Sequence, residues 1–303
     1  MPEVQQFTTR TQEFTNPTDR TTSQLMTALW CNGRWLDPLD FPASPMDRGI
    51  TLGLGLFETM LALDGRPVFL DRHLARLRDG CTRLGWSTSF QELPEIANEL
   101  LVRNQLTTGR ARIRLAITAG AGPLDQLASG SDFLLWMIAL PVGATPQDIA
   151  VNIAPWPRNE RSPLVGLKCA SYAENLLALD HARRAGFQET LFLNTAGHLC
   201  EAATANLFLV KNHALLTPPL ESGCLPGIAR EVVLDLARRC GIETRTETLL
   251  PDDLDAADEV FLTSSIKGLV SVLQVNRNAR PAGPITSHLR EMWDAKIASI
   301  AAY

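Results

Sequence analysis

Four short stretches carry side chains that could do chemistry, and each also has a bland reading. Lys168 opens GLKCASYAENLLALDHARRAG, residues 166–186, ahead of Tyr172 and a run that reads as a helix ending on Gly186. An amine there is either an exposed helix-start Lys or a nucleophile at the mouth of an apolar cavity. Glu201 interrupts the strand-like GHLCEAATANLFLV, 197–210, among small residues. A carboxylate is costly to bury without a partner, so Glu201 is either exposed at a strand end or aimed at a cation. In CLPGIARE, 224–231, Pro226-Gly227 makes a tight turn before an amphipathic helix. The free N–H groups of Ile228 and Ala229 form either a plain helix start or an anion site. ADEVFLTSSIKG, 257–268, ends a buried-looking strand on Thr263, Ser264 and Ser265. Hydroxyls there either take a ligand, as strand ends of α/β sheets do, or simply finish a strand in water.

A fifth stretch, LGLGLFET, is set aside. Gly53 and Gly55 lack the third glycine and the following helix of a dinucleotide fingerprint. Glycines inside strands instead mark a bulge or a close backbone approach. The other four supply an amine, a carboxylate, an anion-binding helix start and a hydroxyl cluster. Pyridoxal 5′-phosphate demands that set: a Schiff-base Lys, a carboxylate for the pyridine nitrogen and a phosphate cup.

The elements that must position these groups read as α/β. Residues 26–36 alternate around Asn32-Gly33, a hairpin signal. RGITLGLGLFETMLALDGRPVFL, 48–70, continues as strands with a turn at Asp64-Gly65, and Asp71 then caps a helix bearing Leu74, Leu77, Cys81 and Leu84. A helix covers 90–105, and strands follow at 111–118 and near 133–142. The Pro-bearing APWPRNERSP, 154–163, reads as a link. Beyond it lie a β-rich block at 189–216, a helix from Gly227 to Cys240, the strand EVFLTSS and a helix near 287–300. The spans expected are a disordered tail over 1–24, a small α/β domain over 25–150, an interdomain linker over 151–163 and a large cofactor-binding domain over 164–303.

Composition bounds the partners. The 303 residues are 45% hydrophobic and 20% charged with net charge −5, which argues against nucleic acid or an anionic membrane as main partner. No apolar run reaches the roughly 18 residues of a membrane span. The scattered cysteines form no CxxC pair, and the five histidines show no metal-ligand spacing. Reduced thiols, a cytoplasmic location and no structural metal are expected.

In order, RGITLGLGLFETM, FLDRHLARL, LKCASYAENLLA, GHLCEAATANLFLV, LLTPPLESGCLPGIARE and ADEVFLTSS resemble the class IV aminotransferases over roughly residues 28–275. That family groups branched-chain aminotransferases, D-amino acid transaminases, R-selective amine transaminases and aminodeoxychorismate lyases. The resemblance implies a two-domain fold-type IV α/β enzyme, a homodimer with pyridoxal phosphate in the interdomain cleft. The reaction implied is transfer of an amino group from an amino acid or amine to a 2-oxo acid in a ping-pong cycle. The alternative is aminodeoxychorismate lyase, which eliminates pyruvate to leave 4-aminobenzoate; LGLGLFET and GRARIRLAITAG look closest to that branch. A non-enzymatic relative is disfavoured by the intact Lys168 and Glu201.

Carried over, Lys168 would hold the cofactor and shuttle the substrate proton, and Glu201 would keep the pyridine nitrogen protonated. Arg76, the N–H groups of Ile228 and Ala229, Ser264 and Ser265 would bind phosphate; Thr204 joins the cofactor residues. Tyr172 stands four residues from Lys168, where branched-chain enzymes place a Tyr five away for the cofactor's phenolic oxygen. Ala229 and Ala202 replace the usual Thr and Gly. Phe57 and Arg114 are the substrate candidates, with the 119–131 loop beside them. On RIRLAIT, Ile113, Leu115 and Ile117 take one face, and Arg112 and Arg114 the other.

In D-amino acid transaminases that loop carries an Arg and a His for the substrate carboxylate. Here it reads AGAGPLDQLASGS, without either. Losing a charge-paired carboxylate site costs about two to three decades in specificity. D-aspartate and D-glutamate are therefore expected to be poor donors beside an apolar amino acid or amine. Comparison of kcat/KM for D-glutamate, D-alanine, L-leucine and an aromatic R-amine checks this, and a preference for D-glutamate would overturn it.

Overall fold

The computed structural model describes residues 27–127 and 133–301. The disordered tail expected over 1–24 lies outside the described residues, as do positions 128–131 of the 119–131 loop.

Asn32 and Gly33 both take positive φ, 44° and 81°, which matches the twist of a two-residue hairpin. They join β1 (Leu29–Cys31) to β2 (Arg34–Leu36) in antiparallel register. The strand expected from residue 48 begins later. Arg48–Leu52 is instead a short helix, α1. Asp47 accepts the Gly49 N–H at 2.7 Å as its cap, and Gly53 ends it at φ 67°, so local capping overrides the β-branched look of Ile50-Thr51. Next come β3 (Gly55–Leu63), a second turn at Asp64-Gly65 and β4 (Arg66–Pro67). The helix expected to be capped by Asp71 starts two residues earlier, as α2 (Leu70–Arg83). Phe69, at φ 56°, holds the cap position without a side-chain bond, and Asp71 sits in the first turn, where its charge favours the helix dipole.

Helix α3 (Leu93–Arg103), β5 (Arg110–Thr118) and β6 (Leu134–Pro141) complete an antiparallel sheet ordered β2-β1-β6-β5-β3-β4. Ile113, Leu115 and Ile117 of β5 are buried beneath Leu74, Leu77 and Cys81 of α2, while Arg112 and Arg114 take the opposite face.

Strand β7 (Asp148–Ile153) already belongs to the second sheet. Helix α4 (Ala173–Arg184) leads to β8 (Glu189–Leu193), β9 (Leu199–Ala202), β10 (Asn206–Lys211) and β11 (Ala214–Thr217). After α5 (Ile228–Arg239) come β12 (Thr244–Thr246), α6 (Pro251–Asp255), β13 (Glu259–Ser264), β14 (Gly268–Val275), β15 (Asn278–Ala279) and α7 (Pro284–Ala301). The order is β12-β11-β10-β13-β14-β7-β8-β9, with β15 on β14. Helices α5 and α7 cover it through Val233, Leu236 and Trp293, over Phe208 and Phe261, whose rings stack at 5.0 Å. Leu61 of β3 and Val68 belong to the same cluster, so apolar packing fastens the two sheets together.

Candidate active site

Lys168 is positioned by backbone. Residues 168–170 precede α4 as an extended segment laid against the start of β3. The Phe57 N–H donates to the Lys168 carbonyl at 2.9 Å and the Ala170 N–H to that of Gly55 at 2.7 Å. Gly55 is there because the approach is close: a Cβ would stand 3.0 Å from the Ile117 oxygen and 3.2 Å from Ala170 Cβ. The Lys168 ammonium lies 4.6 Å from the centre of the Phe57 ring. Among the described residues no carboxylate stands within ion-pair distance of it. Burial and the nearby Arg76 charge hold its pKa down to about 8.

Glu201 lies buried on β9. One oxygen accepts the Leu225 N–H at 3.0 Å and Asn206 Nδ2 at 3.4 Å, while the other has only Arg158 Nη2 at 3.9 Å. Burial pushes its pKa up, and Arg158 and the Leu225 N–H offset only part of that rise. The carboxylate thus has room for one more cationic donor. Sequence reasoning missed Arg158, which lies in the polar stretch read as a link. It is ordered by Glu174 and Asn175, at 3.2 and 3.3 Å, and lies over the Phe192 ring.

The start of α5 makes the opposite end of the site. Gly227 precedes it with no side-chain cap, and a Cβ there would collide with Asn206 Oδ1, so only glycine brings the Ile228 and Ala229 N–H groups this close. Arg76 faces the same place and donates from Nη1 to the Pro226 carbonyl at 2.9 Å. Its Nε and Nη2 grip Glu58 at 2.8 and 2.6 Å, which leaves two of its five N–H groups free. Glu58 also accepts from His73 Nδ1 at 2.7 Å, and both are fully buried. Burial lowers the His73 pKa, so the ring is neutral and its buried Nε2 has no partner. The Thr263 hydroxyl is likewise buried and unpartnered. A glycine-lined helix start, an orphaned hydroxyl, a half-free Arg and an under-compensated carboxylate fit a phosphorylated pyridine.

All the residues singled out from the sequence line a single cavity of about 490 Å³. Two are turned from their expected partners. The Tyr172 hydroxyl donates to the Ala203 carbonyl at 2.8 Å, and burial raises its pKa, so it is a neutral phenol. Thr204 gives its N–H and hydroxyl to the buried Glu189, at 2.7 and 2.5 Å. Ser264 accepts the Lys267 N–H at 3.2 Å. Arg114 lies 3.4 Å over the Phe57 ring and donates to the Thr59 hydroxyl at 3.3 Å; burial and Arg112 lower its pKa to about 10. Arg112 and Lys267, not singled out earlier, line the same cavity. No described residue of the 119–127 stretch does, so the cavity's cations on this side of the chain come from β5. The signal for Glu58 was available: a carboxylate inside an apolar strand, with His73 and Arg76 three apart on one helix face.

Burial pushes the Glu58 carboxyl up, but Arg76 and His73 outweigh it and hold the pKa at about 2. A depressed folded pKa gives stability that is present above the unfolded value near 4.5 and lost as pH falls toward 2. Burial of neutral His73 acts in the same direction below its ordinary pKa near 6.5, where the unfolded ring takes a proton and the native one resists it. Glu58→Gln should cost about 3 kcal/mol at pH 7, by leaving Arg76 uncompensated. Its cost should shrink between pH 4.5 and pH 3; urea unfolding of both proteins at these pH values checks this.

The sequence model of the class IV amino-transferases matches residues 55–275. The branched-chain-amino-acid aminotransferase of Escherichia coli K12 is 30% identical over 279 residues, spanning 87% of this chain and 90% of that protein. An aminodeoxychorismate lyase of Bacillus subtilis is 28% identical over 277 residues, spanning 89% and 94%. The crystal structure of the Escherichia coli branched-chain enzyme superposes with a TM-score of 0.84 at 28% identity, covering 90% of this chain and 95% of that one. The fold is therefore the mixed α/β fold of the type IV enzymes. With its Lys, its strand carboxylate and its glycine-fronted helix on one cavity, the chain belongs to the class IV aminotransferases.

Proposed function

We propose a division of labour among the cavity residues for the transamination that this family performs. The chain moves an amino group from an amino acid or amine to a 2-oxo acid and depends on pyridoxal 5′-phosphate. When bound, that group supplies an aldehyde carbon to carry the nitrogen and a ring that withdraws electrons from the substrate α-carbon. The observation that carries the reading is one cavity faced by Lys168, Glu201 and the start of α5.

Lys168 is the attachment point and the base at the substrate α-carbon. A pKa near 8 leaves an appreciable neutral fraction at physiological pH, which suits both roles. Glu201 would hold the ring nitrogen of the cofactor protonated, since its poorly solvated carboxylate favours a cationic donor. Arg76, the Ile228 and Ala229 N–H groups, Ser265 and Thr263 take the phosphate. Arg114 receives the substrate carboxylate and Phe57 walls the site beneath it. Tyr172 positions: its edge meets Phe57 with centroids 5.5 Å apart. The lyase reading is kept because of the Bacillus subtilis relative.

The two sheets are the proposed domains, with the boundary moved from residue 150 to the β6–β7 connection, since β7 pairs between β14 and β8. Homodimerisation has its own support. Ile50 and Leu52 of α1 and Leu176 and Leu177 of α4 are each at least half exposed. The Ser171 hydroxyl ties the two elements together through the Gly53 carbonyl at 3.1 Å. A second copy covering this face is the proposal, in a cytoplasmic protein. Sedimentation should show a dimer that Leu177→Asp weakens, and a monomeric wild type would refute it.

Mixing the yellow protein with amino donors, without acceptor, tests the reaction. Bleaching to the amino form of the cofactor supports transamination, while pyruvate released from aminodeoxychorismate alone supports the lyase. Borohydride reduction and peptide mapping should place the cofactor on Lys168, not Lys211 or Lys267, and Lys168→Ala should remove nearly all turnover. Glu201→Gln deletes a charge-assisted contact worth about 1.5 to 3 kcal/mol, so turnover should fall roughly ten- to a hundredfold. Unchanged turnover would make Glu201 a bystander.

A further inference from the structure

We infer that a second, smaller cavity behind the 264–268 loop binds a phosphate group and that its occupancy tunes the catalytic cavity through Lys267. This cavity, of about 220 Å³, is lined by Arg110, Lys267 and Arg290, with Thr145 and Gln147 from the connection after β6 and one acid, Asp294. Lys267 is the one residue it shares with the catalytic cavity, so that side chain forms the partition.

The two guanidiniums are fixed in place by carbonyls. Arg110 Nη2 donates to the Ile266 oxygen at 2.8 Å. Arg290 donates to the Leu269 oxygen at 3.3 Å, the Gln147 oxygen at 2.9 Å and the Ser271 hydroxyl at 2.6 Å. Neither guanidinium, nor the Lys267 ammonium, has a carboxylate within ion-pair distance among the described residues. Arg110 Nε is buried with no hydrogen-bond partner. An unmade donor on one of three unneutralised cations is a costly arrangement that an anion relieves. Three cations against Asp294 leave a local charge of about +2, which matches the −1.5 to −2 of a phosphate near neutral pH. Arginine forks held in advance suit tetrahedral oxyanions and lose little freedom on binding.

The link to the reaction is electrostatic and short. Lys267 follows Ser264 and Ser265 in the loop that walls both cavities, and its N–H is bonded to the Ser264 hydroxyl. A phosphate in the second cavity draws the ammonium toward that side and weakens the positive potential offered to an anionic acceptor. The result is a change of uniform binding, so KM for the 2-oxo acid rises about threefold while kcat holds. The coupling rests on the transaminase reading; the binding does not.

Calorimetry on the holoenzyme, whose own phosphate cup is filled, should show one saturable site per chain for inorganic phosphate or for glycerol 3-phosphate. Binding of the ion alone assigns free phosphate as the source, and equal or tighter binding of the ester assigns a phosphorylated metabolite. Thr145→Asp places a carboxylate in the cavity without touching either arginine's carbonyl contacts, and should weaken binding at least about tenfold with an unchanged melting temperature. Arg110→Gln should weaken it too. Added phosphate should raise KM for the oxo acid in the wild type but not in Thr145→Asp. Absence of saturable binding in calorimetry overturns the site even if the enzyme transaminates. A KM effect that persists undiminished in Thr145→Asp places the anion in the catalytic cavity and overturns it as well.

Discussion

Two backbone hydrogen bonds, from Phe57 to Lys168 and from Ala170 to Gly55, join a segment of the second half of the chain to the start of β3. Each is an ordinary amide contact worth about 1 kcal/mol net. Their consequence is geometric. They set the Lys168 side chain over the Phe57 ring, beside the face of β5 that carries Arg112 and Arg114, and opposite Glu201 and the start of α5. Side-chain rotamers alone would not define that position, because a lysine has four rotatable bonds. Gly55 makes the contact possible, and the cluster containing Leu61, Val68, Phe261 and Trp293 keeps the two sheets from drifting apart beneath it.

The charges around that lysine are unevenly compensated, and the unevenness is informative. Arg76 is paired by a buried carboxylate that ionises far below neutrality, so the guanidinium is oriented and partly neutralised before any ligand arrives. Glu201 stands the other way round: burial wins over its neighbours, and its proton affinity is raised. One end of the cavity therefore suits an anion and the other a cation. Arg112, Arg114 and Lys267 add further positive potential to the same cavity. Buried carboxylates such as Glu58 do not by themselves make the fold more stable than an apolar replacement would. Their value here lies in fixing where Arg76 points.

The sequence alone determined what depends on short-range chemistry. Asn32-Gly33 and Asp64-Gly65 named their turns because few other pairs accept two positive φ angles. The period-two pattern of 111–118 assigned a buried and a polar face, and Gly227 through Cys240 bracketed α5. Lys168, Glu201 and the α5 start, which the fold gathers around one cavity, stand in motifs that are local and ordered along the chain. Tertiary structure decided the rest. Helix α1 exists because Asp47 and Gly53 cap five residues that look like strand. Arg158 lies in a stretch whose polarity reads as solvent-facing, yet β8 and α4 fold over it and bring it to Glu201. Glu58, His73 and Arg76 become one unit only when β3 packs on α2, and Lys267 borders two cavities only because β5 and α7 both reach its loop. Partners far apart in sequence leave no periodic trace, so burial and contact alone reveal them.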